Sequence, residues 1–165
     1  MKILSPIISN FPAAATTNKF IAKDNFVVNS KDSAIVKISH INKEFKDWFI
    51  NKIEDPFIGS IICGRDLTKK SVDDLILSEL GGQGNAESTL TEIYAMMKNQ
   101  AKGNAGILLT NGYDNIFYAR DINNALRAVD VYWSGVDWYV GAYSLGYPLK
   151  WAAGYRVFSR NSSET

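Results

Sequence analysis

Cysteine and histidine are nearly absent: Cys63 and His40 stand alone among 165 residues. One thiol makes no internal disulfide, and with one imidazole beside it there is neither a cysteine-pair zinc site nor a histidine-rich metal centre, so no cofactor is expected. An excess of one charge is missing too. With 18 basic residues against 17 acidic ones, net +1, the chain lacks the electrostatic footprint of a protein held mainly by nucleic-acid phosphates. It has no polybasic segment for an anionic membrane either. No stretch approaches the ~20 apolar residues that a membrane-spanning helix needs. Repeats, low-complexity tracts and internal linkers are lacking, which leaves one ordinary domain, and a chain of this size buries roughly 70% of its unfolded surface without staples.

Residues 1–18 imitate a signal peptide weakly, with Lys2, then Ile3, Leu4, Ile7 and Ile8, then Ala13-Ala14-Ala15. Ser5, Pro6, Ser9 and Asn10 break the apolar run, so residues 1–24 read as a flexible or extended arm and the expected compartment is the cytoplasm, with secretion the alternative. A single α+β domain is expected over residues 25–161. Phe26-Val27-Val28 and Ala34 to Ile38 read as strands about the turn Asn29 to Asp32. Ile41, Phe45, Trp48, Phe49 and Ile53 recur at helical steps, and Phe57 to Cys63 reads as a buried strand. Ser71 is placed to cap a short helix in which Asp73 and Asp74 complement the dipole and Gly81-Gly82 is the stop. Thr89 and Glu92 form a capping box opening a helix that ends at Lys102-Gly103. Beyond Gly106 the period changes to two, and Ile107 to Leu109, Asn115 to Arg120, Leu126 to Trp133, Trp138 to Leu145 and Tyr155 to Ser159 read as five strands. Their spacing predicts an antiparallel meander with about three helices packed on one face.

Candidates for chemistry are few. His40 has no neighbouring Ser or Cys nucleophile and reads as a cap or surface residue; Cys63 reads as core filler. Gly81-Gly82-Gln83-Gly84 follows a helix and lacks the Gly-Lys-Ser/Thr ending of a phosphate loop. Glu54-Asp55 and Asp73-Asp74 read as solvated carboxylates near helix ends.

Residues 132–155 differ from the rest. They hold three of the four tryptophans (Trp133, Trp138, Trp151) and five of the eight tyrosines (Tyr132, Tyr139, Tyr143, Tyr147, Tyr155), with only Asp137 and Lys150 charged. Stiff amphipathic rings amid Gly and Ser make the composition of a binding surface. If Val129, Val131 and Trp133 face the core, Asp130 and Tyr132 face out. If Trp138, Val140 and Ala142 face in, Tyr139, Gly141 and Tyr143 face out. Three tyrosines would then share one sheet face; packing beneath the loop around Pro148 or beneath the helices is the plainer alternative.

The run Leu126-Arg127-Ala128-Val129, then Trp133, Trp138, Val140, Ala142, Ser144, Pro148, Trp151, Gly154 and the ending Val157-Phe158-Ser159-Arg160-Asn161 resembles a family of proteins from metagenomic bacteria of the candidate phyla radiation. The likeness extends upstream through Ile35-Val36-Lys37-Ile38-Ser39, Glu54-Asp55-Pro56-Phe57, Glu79-Leu80-Gly81-Gly82 and Leu108 to Tyr113, covering most of the chain after about residue 30. In that family fixed and exchanged positions alternate, which is similar to the variable proteins of diversity-generating retroelements, whose reverse transcriptase rewrites adenine-rich codons. The resemblance implies a binding segment over 126–160 with exchanged positions at Tyr132, Ser134, Val136, Tyr139, Gly141, Tyr143, Tyr147, Leu149, Ala152, Ala153 and Tyr155. Many such variable proteins have a C-type-lectin-like fold with a Gly-Gly-Ser-Trp signature; here only Trp133-Ser134-Gly135 and Gly154-Tyr155-Arg156-Val157 stand near it, and Lys150 is not a product of the commonest rewritten codons.

The expected function is therefore non-enzymatic binding of a protein or carbohydrate ligand, with Trp133, Trp138, Val140, Ala142 and Val157 holding the scaffold. The rival is a small enzyme using Tyr, Asp or Lys groups, with Asp114, Asp121, Asp130 or Asp137 as its carboxylates in a deep pocket. A third reading, single-stranded nucleic-acid binding on stacked rings, has only Lys150 and Arg156 for its positive groove, so nucleic acid is not the expected partner.

Overall fold

The computed structural model describes residues 2–146 and 150–160 and folds them as a mixed α+β structure. Its strands are β1 (Ser9–Ala13), β2 (Phe20–Ile21), β3 (Ile38–Ile41), β4 (Ile53–Glu54), β5 (Ser60–Asp66), β6 (Glu87–Ser88), β7 (Asn115–Arg120), β8 (Leu126–Trp133), β9 (Trp138–Ser144) and β10 (Arg156–Ser159). Five short helices join them: α1 (Ala22–Asn25), α2 (Lys43–Phe49), α3 (Asp73–Glu79), α4 (Gln83–Ala86) and α5 (Leu90–Asn99). Among the described residues no helix is long and apolar enough to cross a membrane.

One large, mostly antiparallel sheet runs in the order β1-β5-β10-β7-β8-β9-β3, with β6 alongside β7, while β2 and β4 form a separate ribbon. β7, β8 and β9 are successive antiparallel neighbours, as their close spacing predicts. The expected five-strand meander stops there. β10 inserts between β5 and β7, parallel to β7, and ahead of it Trp151 pairs with Ser71, the N–H of each donating to the C=O of the other.

Period-two alternation sends Phe117, Ala119, Val129, Val131, Trp133, Trp138, Val140 and Ala142 to one face, beneath Phe45 and Phe49 of α2 and Leu90, Ile93, Met96 and Met97 of α5. Burying each of those helical side chains stabilises by roughly 1.5–3 kcal/mol. Ile116, Tyr118, Leu126, Ala128 and Val157 point to the opposite face and meet Leu4, Ile76, Leu77, Ala86 and Trp151. Helices thus cover both faces, five rather than about three, since α3 and α4 carry apolar residues that only the second face can bury. Within segment 1–24, expected as an arm, β1 pairs along the whole of its length with β5 and Leu4 is buried.

Local departures have local causes. Ile107 to Leu109 form no strand because two side-chain amides take the place of a strand partner. Gln100 binds the N–H and C=O of Leu108 at 2.8 and 3.0 Å, and Asn115 binds those of Leu109 at 2.8 and 3.1 Å. The hairpin expected over 26–38 reduces to a single bridge between Asn29 and Ile38. The helix predicted from Ile41 to Ile53 is confined to α2, capped by the Asn42 side chain, which accepts from the Phe45 N–H. Val72, not Ser71, is the N-cap of α3, and no side chain caps it. The Thr89–Glu92 capping box is present as read.

Candidate functional site

The β8–β9 hairpin builds the face that alternation predicts. Its register sets Tyr132 opposite Tyr139, Trp133 opposite Trp138 and Asp130 opposite Gly141. Ser134 and Asp137 close the turn, the Ser134 hydroxyl donating to Asp137 Oδ1 at 3.1 Å and accepting from the Asp137 N–H at 3.2 Å. β3 then adds parallel to β9 with His40 beside Tyr139. Where β3 ends, Asn42 continues the pairing with its side chain: Nδ2 donates to the Ala142 C=O at 3.2 Å and Oδ1 accepts the Ala142 N–H at 3.1 Å. A cleft of about 230 Å³ results, lined by His40, Asn42, Asp130, Tyr132, Tyr139, Val140, Gly141 and Tyr143.

Two banks of rings flank it. Tyr132 and Tyr139 lie 4.9 Å apart at 41°, with His40 5.6 Å beyond Tyr139. On the other side Tyr143 meets Trp151 edge-on at 5.8 Å, Trp151 lies 6.3 Å from Tyr155, and Tyr155 lies 5.7 Å from Tyr113. Trp151 is the buried plate of this bank, and its anchor is Asp73, whose Oδ1 accepts from Trp151 Nε1 at 2.8 Å and from the Tyr118 hydroxyl at 2.7 Å. Burial holds the Asp73 carboxyl above the usual carboxylate range against the pull of those two bonds.

The floor of the cleft is the Asp130 carboxyl. Asp130, only 4% exposed, hydrogen-bonds through its side chain to Asp114, from the loop before β7. Burial first, then the neighbouring Asp114 charge and their shared hydrogen bond, push the Asp130 carboxyl far above its ordinary range. Asp114 is raised by burial, and the same bond pulls it back. The two carboxyls titrate as a pair, and Asp130, the more deeply buried, is the one held further above its ordinary range. Gly141 makes the room: a Cβ there would meet Asp130 Oδ1 at 2.5 Å, with the Tyr143 hydroxyl at 3.2 Å and Asn42 Nδ2 at 3.3 Å.

The pair carries a stability consequence of definite sign. Between the ordinary Asp value of about 3.9 and the raised value of Asp130 the folded chain binds more protons than the unfolded one, so this group's contribution falls as pH rises. Asp130→Asn keeps a donor toward Asp114 and cannot ionise. The variant is expected to gain on the natural chain as pH rises from about 4 toward the raised Asp130 value in urea unfolding. A difference in stability that is flat with pH would remove the shared proton from the account.

No protein-family model, curated protein or solved structure matches this chain. The site therefore rests on its own geometry. Tyr132, Tyr139, Gly141, Tyr143 and Tyr155 come together around the carboxyl pair, although only partly open to solvent: Gly141 is buried, and Tyr143 and Tyr155 pack on the second core. Ser134 and Val136 are exposed in the β8–β9 turn and Ala153 is exposed beyond Trp151, with Ala152 half-buried. Tyr147 and Leu149 lie outside the described residues. All five expected scaffold residues, Trp133, Trp138, Val140, Ala142 and Val157, are buried.

Of the four candidate carboxylates, Asp130 lines the cleft and Asp114 reaches it only through Asp130. Asp121 instead accepts from the Asn123 and Ala125 N–H groups and from Arg127; burial would raise it, but these bonds outweigh that and hold it below its usual range. Asp137 belongs to the turn. Arg156, one of the two cations available for nucleic acid, is engaged with Asp66 at 2.8 Å and with the Ile107 C=O at 2.9 Å. His40 is exposed and Cys63 buried, its thiol donating to Asn10 Oδ1 at 3.3 Å. Among the described residues no group of three or more His, Cys, Asp or Glu side chains is arranged to hold a metal. Sequence reasoning did not single out Asn42, the bond between Asp114 and Asp130, or the burial of Asp73. An Asp opposite a Gly on paired strands was the available signal for the second.

Proposed function

We propose that this chain is a non-enzymatic binding protein whose β8–β9 face, with the residues beyond Trp151, is a diversifiable ligand surface. One observation carries it: Tyr132, Tyr139 and Tyr143 line an open cleft while the residues alternating with them, Trp133, Trp138, Val140 and Ala142, are buried in the opposite core. Residues on one side can change while those on the other hold the strands, which is the separation a variable binding protein requires. Gly141 departs from this, since any side chain there meets Asp130. The resemblance to retroelement variable proteins supports the reading through this pattern; a lectin-like fold is no part of it. Sequencing the gene's 3′ end across its source population tests it. Substitutions should concentrate at Tyr132, Ser134, Val136, Tyr139, Tyr143, Ala152, Ala153 and Tyr155, with Trp133 and Trp138 untouched. Even, sparse substitution would sink it.

The ligand is a protein or a carbohydrate held by ring contacts. Tyr132→Ala combined with Tyr139→Ala is expected to abolish its binding while costing about 1–2 kcal/mol of stability, because the pair is half-buried and its cross-strand contact is modest. Thermal unfolding beside a binding assay checks both parts; collapse of the fold would assign the rings to packing instead.

The Asp114–Asp130 pair favours a second reading. A buried carboxyl hydrogen-bonded to a half-buried one is the arrangement of an acid–base site, with the neighbouring tyrosines as further donors. On that reading Asp114→Asn and Asp130→Asn each abolish turnover of a substrate whose binding survives.

A further inference from the structure

A surface that only offers rings to a partner has no need of a buried acid beneath them. Resting on the ligand-binding reading above, we propose that the cleft between β8, β9 and β3 takes an alkylammonium group, its cation seated against the rings of Tyr132, Tyr139 and Tyr143 above the Asp130 carboxyl.

Three features of the cleft converge on that ligand class. Tyrosine faces carry the negative end of the ring quadrupole and attract a cation within about 6 Å of the centroid; Tyr132, Tyr139 and Tyr143 all line the cleft, with Tyr132 and Tyr139 packed on each other at 4.9 Å so that a cation sits beside that pair and not between its rings. Asp130 lies at the floor, and neither Lys nor Arg is among the lining residues, so no cation of the protein's own serves those acids there. At about 230 Å³ the cleft is several times the ~30 Å³ that a water occupies in the liquid, enough for a trimethylammonium head. An anion would face Asp130. A bare metal ion needs a shell of several oxygens, and among the described residues no group of three or more His, Cys, Asp or Glu is arranged to hold one. A neutral sugar would stack on the rings but leave the acid pair unaltered.

Proton linkage makes the idea specific. Seating a cation over the pair favours the form from which the shared proton has left, so binding releases protons and strengthens as pH rises. The groups that face the cleft and its floor are Asp114, Asp130, Tyr132, Tyr139, Tyr143 and Tyr155, with His40 on β3 and Glu44 of α2 acting on Tyr143. His40 also lines the cleft, so His40→Gln is the control for any pH dependence that survives in Asp130→Asn.

The experiment is a titration of the full chain with tetramethylammonium chloride and with choline, followed by the tyrosine ring resonances, at about pH 5.5 and pH 8 and constant ionic strength. Glucose and mannose serve as neutral probes. Saturable shifts confined to Tyr132, Tyr139 and Tyr143 are expected with both ammonium salts, tighter at the higher pH. Tyr139→Ala should weaken binding roughly tenfold, and Tyr139→Phe, which keeps the ring, should stay within about threefold. Asp130→Asn should weaken binding and flatten its pH dependence; native-like circular dichroism of each variant excludes misfolding. Absence of saturable shifts with either ammonium salt overturns the proposal. Sugar binding without ammonium binding overturns it too while leaving the ligand face standing. Ammonium binding in a gene that shows no concentrated substitution upholds it and removes only the diversification.

Discussion

Replacing Glu92 by alanine is expected to cost about 3–5 kcal/mol, a large share of the ~5–15 kcal/mol that holds an ordinary domain folded. The carboxylate is fully buried, yet every lone pair is used. It accepts from the Thr89 N–H at 2.7 Å and the Thr89 hydroxyl at 2.9 Å, from the Ser60 hydroxyl at 2.5 Å, and from Arg160 through Nε and Nη2 at 2.7–3.0 Å. Alanine strands the Arg160 guanidinium, opens the capping box of α5 and unties the start of β5 from the C-terminal end of β10. The loss is larger than that of a surface ion pair because the carboxylate itself is fully buried and satisfies all of these donors at once. Two controls rank the parts. Glu92→Gln preserves the box and gives up the charge, so it should cost less. Arg160→Ala removes a side chain that is 40% exposed and leaves Glu92 its Thr89 and Ser60 partners, so it too should fall below the alanine variant. Urea midpoints check the order. A loss below about 1 kcal/mol for Glu92→Ala would show that these segments are held together by apolar packing alone.

Gly103→Ala carries the second large effect, expected at about 3 kcal/mol from a single methyl group. Gly103 ends the turn after α5 at φ +73, and a Cβ built there would lie 2.1–2.4 Å from the Trp133 ring. Two costs add: roughly 1–2 kcal/mol for an L side chain in the left-handed region and roughly 1–3 for overpacking. The ring cannot easily retreat, because Trp133 packs edge-on against Trp138 at 5.4 Å and Trp138 is tied through Nε1 to the Gln100 C=O at 3.0 Å. Gly103→Ala should therefore lower the melting temperature by roughly 6–12 °C and perturb indole fluorescence together with it. A variant with Trp133→Leu in the same chain should recover part of the loss, since the clash is then relieved while the backbone cost stays. Equal destabilisation in both backgrounds would place the whole effect in the backbone.

Much of this fold was legible one segment at a time. Alternation in Leu126 to Trp133 and in Trp138 to Ala142 identifies β8 and β9 and the face of each residue, because a strand's side chains reverse at every position whatever the strand pairs with. Thr89 and Glu92 identify the start of α5 for an equally local reason. Tertiary partners overrode local pattern in three places. Gln100 and Asn115 satisfy the backbone of 108–109 and so pre-empt a strand. Ser71 pairs with Trp151 instead of capping α3. Asp73, a residue whose place in the first turn of a helix marks it as solvated, is buried as the acceptor for Tyr118 and Trp151.

The same division runs through the candidate site. Composition and alternation by themselves determine that an aromatic face exists on the β8–β9 hairpin and which tyrosines share it, because both are properties of contiguous residues. Only the tertiary structure decides what lies between those rings. Asp114 reaches Asp130 because β7 pairs with β8, Asn42 and His40 arrive because β3 docks beside β9 from about a hundred residues upstream, and Trp151 swings beneath Tyr143 because β10 inserts between β5 and β7. Whether an aspartate holds a proton depends on what surrounds it in space, and no spacing along the chain records that.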